Sequence, residues 1–118
     1  MPRRIVEMPP ASEPAKNLDP YEAAIYAAEL GEAPEINLHG MTVDEALSEA
    51  DRFLHQELMR GSEVIRIIYG HGEQKLHVAI NKWLARQKEL ELVAAYRGAQ
   101  HKPGQQNAVA YAALHRIK

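Results

Sequence analysis

The chain has 118 residues, no cysteine, 46% hydrophobic and 25% charged residues. That is enough for one domain with one core, and it excludes a disulfide scaffold, a thiolate zinc site and a cysteine nucleophile. No apolar run approaches the roughly 20 residues of a membrane span, and Met1-Pro2-Arg3-Arg4 lacks the apolar stretch of a secretory signal, so a cytoplasmic protein with no membrane role is expected. The net charge of −2 hides an asymmetry: residues 1–59 carry 4 Lys/Arg and 12 Asp/Glu, residues 60–118 carry 10 and 4. A net acidic protein of this kind can still hold phosphate on a local basic surface.

Residues 1–18 contain Pro2, Pro9, Pro10 and Pro14 without periodicity and read as a flexible N-terminal tail. Residues 19–34 read as a helical extension: Asp19 suits the N-cap, Pro20 the first helical position, and Gly31 and Pro34 end the helix. The domain proper is placed at 35–118. Ile36-Asn37-Leu38-His39 alternates and stops at Gly40, a short strand. Thr42 and Glu45 have capping-box spacing, and Val43, Ala46, Leu47, Ala50, Phe53, Leu54 and Leu58 give the following helix one apolar face, with Gly61 at its end. Val64 to Tyr69 is β-branched and aromatic, a second strand. After Gly70-His71-Gly72 comes a second amphipathic helix built on Leu76, Ala79, Ile80, Trp83 and Leu84. Leu92 to Tyr96 is a third strand, residues 97–107 a polar loop, and Ala108 to Leu114 a fourth strand.

The order β-α-β-α-β-β predicts an α/β (α+β two-layer) fold with a mixed four-stranded sheet. Right-handed crossovers make the first three strands parallel, and the fourth returns antiparallel. The loops 39–42, 70–73 and 97–107 then leave one edge of the sheet, where open α/β sheets bind ligands.

Each of those loops contains a histidine: His39, His71 and His101. Paired histidines can serve as general base and acid near neutral pH; taken singly, each also reads as a solvated loop residue. Their spacing matches no local zinc motif, so no metal site is assigned; no cofactor is required, and a divalent metal stays open without support in the sequence. Gly70-His71-Gly72 opens a helix whose first amides lack acceptors and favour an anion. It is no dinucleotide fingerprint, because Lys75 stands where the third glycine belongs. Lys75, Arg97 and Lys102 are placed on or beside the same edge as phosphate-neutralising cations. Arg66 and Asn37 are expected on the sheet face opposite the helices, by alternation from Ile65, Ile67, Ile36 and Leu38. His55 and His77 read as outer helix positions without a role.

The run Ile36-Asn37-Leu38-His39-Gly40, followed by Thr42 and a helix starting Val43-Asp44-Glu45-Ala46, resembles the opening Asp-x-His-Gly motif of the small MutS-related (Smr) family. Tyr69-Gly70-His71-Gly72 after its strand is similar to that family's second motif, usually His-Gly-x-Gly, and Val93 to Ala108 is similar to its closing strand-loop-strand. The resemblance covers about residues 35–117 and is of the standalone type. It implies a fold like the C-terminal domain of translation initiation factor three, with helices on one face. It also implies nucleic-acid binding, with endonuclease action on RNA or DNA among its members, some at stalled ribosomes. The motif positions and the edge placement together give His39, His71, His101 and Asn37 as catalytic candidates, and Gly40, Gly70, Gly72, Lys75, Arg66, Arg97 and Lys102 as nucleic-acid contacts. Two departures weigh on cleavage more than on binding: Asn37 replaces the usual Asp, and Tyr69 the usual His. Three readings follow: a phosphodiesterase, expected to be monomeric; a catalytically impaired module that holds nucleic acid or a ribosomal surface; and a small-anion or metabolite binder using only the Gly70–Gly72 turn.

Overall fold

A computed structural model describes residues 19–70, 74–99 and 108–115. The elements are α1 (Pro20–Leu30), β1 (Glu35–Asn37), α2 (Val43–Arg60), β2 (Val64–Ile68), α3 (Gln74–Glu89), β3 (Val93–Gly98) and β4 (Val109–Leu114). The sheet order is β1-β2-β4-β3, with β1 and β2 parallel and β4 antiparallel to both β2 and β3. The first three strands therefore run in one direction, as expected, and the last strand of the sequence lies between the second and third. No helix among the described residues is long and apolar enough to cross a membrane.

Local chemistry fixes the helix ends. Thr42 Oγ1 accepts the Glu45 N–H at 3.1 Å and Glu45 Oε1 accepts the Thr42 N–H at 3.0 Å, so the capping box satisfies two amides that α2 leaves open. Gly61 closes α2 at φ +80°, its N–H returning to the helix. At α1, Asp19 accepts the Glu22 N–H at 2.9 Å and Pro20 occupies the first turn.

Strand alternation divides the core in two. Ile65 and Ile67 of β2 with Ala110, Ala112 and Leu114 of β4 face α2 and α3, meeting Leu54, Leu58, Leu76, Ile80 and Leu84. Each fully buried aliphatic chain of this set contributes roughly 1.5–3 kcal/mol over leaving it in water. Val64, Val109, Tyr111 and Ala113 point the other way and are covered by Ile25 and Ala28 of α1.

That second layer corrects two expectations. Helices on one face describes α2 and α3, but α1 packs on the opposite face. Arg66 consequently lies under a helix and not on an open sheet. Its Nη2 donates to the Ala28 and Gly31 carbonyls at 3.2 and 3.3 Å, Nη1 to Glu35 Oε1 at 2.8 Å, and Nε to the Tyr111 hydroxyl at 3.0 Å. Burial opposes the guanidinium charge, but the bonds to Glu35 and Tyr111 outweigh it and hold Arg66 above its usual pKa. The third strand also runs further than expected, to Gly98. Arg97 is thus a strand residue, and its Nη1 pairs with Glu29 of α1 at 2.8 Å.

Candidate functional site at the sheet edge

The carboxyl ends of β1, β2 and β3 meet at one edge, tied by backbone bonds. Leu38 N–H donates to the Ile68 carbonyl at 2.7 Å; Tyr69 and Gly70 N–H both donate to the Ala108 carbonyl at 2.8 and 3.1 Å; Ala99 N–H donates to Val109 at 3.0 Å. Two of the three expected loops begin here in adjoining positions, and the described end of the third is joined through β4.

His39 is placed by a turn. Met41 N–H donates to the Leu38 carbonyl at 3.1 Å, and Gly40 has φ +87°, the conformation a type II turn requires at its third residue. The Asn37 side chain shapes the approach: its Oδ1 accepts the His39 N–H at 2.9 Å. Asn37 therefore acts on the backbone of His39, as an Asx turn does, and an Asp carboxylate would offer the same acceptor.

The His39 ring lies directly over Gly70. A Cβ built on Gly70 would stand 2.2 Å from His39 Cδ2, and Gly70 has φ +88°. Glycine is required there twice, for its backbone conformation and for the space the imidazole occupies. This contact joins the first motif to Gly70 of the second and leaves the imidazole exposed at the end of β2.

Tyr69, in the place of the second motif's usual His, does not reach this edge. It is 1% exposed, stacks on His77 with ring centroids 5.2 Å apart, and bonds to Asn81; burial pushes its hydroxyl pKa up, the Asn81 bond opposing. His77, read from sequence as an outer helix position, is half-buried through this stack.

Among the expected cations, Lys75 stands exposed at the start of α3, whereas Arg66 and Arg97 hold α1 in place. His71, Gly72, His101 and Lys102 lie outside the described residues. Among the described residues no three of His, Asp and Glu gather to hold a metal ion.

The Smr domain model matches residues 36–114, two thirds of the sequence. The chain belongs to the Smr family. It is 35% identical over 85 residues to the protein named Endonuclease MutS2 of Thermus thermophilus, covering 72% of this chain and 10% of that one. To Endonuclease MutS2 of Symbiobacterium thermophilum it is 36% identical over 59 residues, 50% of this chain and 7% of the relative. The chain thus spans a tenth or less of the length of these relatives. The crystal structure of the Smr domain of Thermus thermophilus MutS2 superposes with a TM-score of 0.60 at 34% identity, covering 70% of this chain and 98% of that one. The Smr match begins at Ile36, so α1 and the carboxylate Glu29 stand before it.

Proposed function

We propose that this Smr domain binds RNA or DNA at the edge formed by β1, β2 and β3 and cleaves it by histidine-assisted phosphodiester chemistry. The observation that carries the reading is the His39 imidazole seated on Gly70 at the edge. A phosphate held by first-turn amides of α3 would then lie within reach of the imidazole. The relatives named Endonuclease MutS2 support the same reading.

On RNA, His39 as base takes the proton of a 2′-hydroxyl, whose oxygen attacks the adjacent phosphorus. The bond to the 5′ oxygen breaks, and that oxygen receives a proton from His71 or His101. The products are a 2′,3′-cyclic phosphate and a 5′-hydroxyl. On DNA the same pair would activate water and protonate the departing oxygen. The exposed Lys75 ammonium group would offset the developing phosphate charge, a role that the sequence also gives to Lys102 and the amides of residues 71–73. Asn37 fixes the His39 backbone and takes no proton. No resident cofactor enters this scheme. The setting is cytoplasmic and the substrates include ribosome-associated RNA.

A second reading is favoured by one observation, the missing carboxylate at position 37: a module that holds nucleic acid without cutting it. Purified protein is incubated with labelled single-stranded RNA and with supercoiled plasmid, with and without EDTA, beside His39→Ala. Cleavage lost in His39→Ala with binding retained supports the nuclease. Binding without cleavage in either protein supports the module, and neither binding nor cleavage refutes both.

A further inference from the structure

The described residues contain eight Lys and Arg side chains: Arg52, Arg60, Arg66, Lys75, Lys82, Arg86, Lys88 and Arg97. Four of them are in ion pairs, Arg52 with Glu49, Arg60 with Glu57, Arg66 with Glu35 and Arg97 with Glu29. The other four all belong to α3, all are exposed, and none has an acidic partner among the described residues. The neighbouring α2 is the reverse, with five acidic residues against two arginines. The helical layer is therefore polarised, and its free positive charge sits on the helix that begins at the candidate site.

The spacing is ordered. Lys75, Lys82 and Arg86 stand at i, i+7 and i+11. At about 100° per residue these steps bring all three within roughly 20° of one line along the helix, over a length of about 16 Å. Lys88 falls about 140° away from that line. Beside the line runs a groove of about 420 Å³ whose lining includes His77, Val78, Asn81 and Lys82. One face of the His77 ring rests on Tyr69, so a base entering the groove would extend an existing stack, with the Val78 side chain, 51% exposed, as an apolar neighbour. A cation row beside an aromatic floor fits a flexible strand, whose backbone follows the charges while its bases turn inward. A duplex keeps its bases stacked internally and would use the row alone.

We infer that α3 carries the track for a single-stranded nucleic acid leading away from the candidate site, with Lys75, Lys82 and Arg86 on the sugar-phosphate backbone and the His77 groove receiving a base. This rests on the nucleic-acid reading above, and it adds which surface binds and which strand form is preferred.

The full chain is titrated by fluorescence anisotropy against labelled oligouridine, the matching oligothymidine and a duplex of equal length, at several salt concentrations. Wild type should bind the single strands more tightly than the duplex. Lys82→Ala/Arg86→Ala should weaken single-strand binding by about tenfold or more and make the slope of log affinity against log salt shallower by about 1.4, since each single-strand phosphate contact contributes about 0.7. Lys88→Ala should behave as wild type. His77→Ala, with its thermal midpoint checked, should lower single-strand affinity several-fold and leave the salt slope alone. If wild type binds and the double variant matches it, or Lys88→Ala weakens binding as much, the track is elsewhere and the inference fails while the nucleic-acid reading stands. Tighter binding to the duplex overturns the single-strand assignment. No binding to any of the three probes refutes the inference together with the reading beneath it.

Discussion

Gly70→Ala tests the junction of the two motifs. At φ +88° an alanine meets the left-handed penalty of about 1–2 kcal/mol. The new methyl would also stand 2.2 Å from His39 Cδ2, so the ring must swing by about 1 Å or more to restore ordinary contact. An off-rotamer side chain costs about 0.5–1.5 kcal/mol, and an exposed histidine can relax towards the lower figure. Gly61→Ala isolates the backbone part, because Gly61 has φ +80° and nothing within 4 Å of its added Cβ. With roughly 5 °C of thermal midpoint per kcal/mol in a domain this size, Gly61→Ala should lose about 5–10 °C, and Gly70→Ala about 3 °C more. Melts followed by circular dichroism give the difference, and the His39 ring resonances in a proton–carbon correlation spectrum should move only in Gly70→Ala. Introducing Gly70→Ala into His39→Ala removes the clash, so the excess should vanish there. An excess that persists without the ring, or unmoved His39 resonances, refutes the proposed contact.

Arg97→Ala removes the partner that Glu29, fully buried, has on β3, and should cost about 1–3 kcal/mol by denaturant titration; adding Glu29→Ala should recover part of that loss, and a purely additive double variant would contradict a coupled pair. Tyr69 has a raised pKa through burial, so its contribution is complete below the unfolded value of about 10 and is lost as pH rises through the folded value; alkaline unfolding followed in wild type and Tyr69→Phe should show the phenylalanine variant keeping more of its stability above about pH 10, and parallel curves would exclude Tyr69 as the titrating group. Asn37→Asp keeps an acceptor for the His39 N–H and places a carboxylate on the His39 backbone. Its cleavage rate should exceed wild type, with a range of about 10²–10⁴ when a side chain takes part in proton transfer, and an unchanged rate would mean that position 37 serves the turn alone.

The elements that were legible in the sequence are those whose signals are local. Thr42 and Glu45 announce α2, Gly61 ends it, and the apolar spacing from Leu76 to Leu84 orients α3. The meeting of His39 and Gly70 follows from parallel crossovers and could be placed at one edge without coordinates. What escaped was long-range. An alanine-rich helix with one large buried anchor, Ile25, does not advertise where it docks. The available clue was β4 itself: Val109 to Leu114 is apolar at every position except the Tyr111 hydroxyl, and a strand buried on both faces has that pattern. Reading it so would have placed a layer over that face, withdrawing Arg66 from an open sheet and Arg97 from the phosphate edge. Their partners, Glu35 and Glu29, lie 31 and 68 residues away, and no spacing rule links residues so far apart.

The position of β4 has a consequence for how the protein comes into being. It pairs Val64 with Ala113 across 49 residues, and it joins β3 to the rest of the sheet. During synthesis β1, α2, β2, α3 and β3 all emerge before it, yet the Ala108 carbonyl that fastens Tyr69 and Gly70, and the Val109 carbonyl that fastens Ala99, arrive with it. Closing that interval carries an entropy cost that local contacts do not. A nascent chain stopped short of residue 108 can pair β1 with β2, but it lacks the carbonyl that Tyr69 and Gly70 bond to and the strand that β3 pairs with. The edge is therefore closed across all four strands only once β4 lies between β2 and β3.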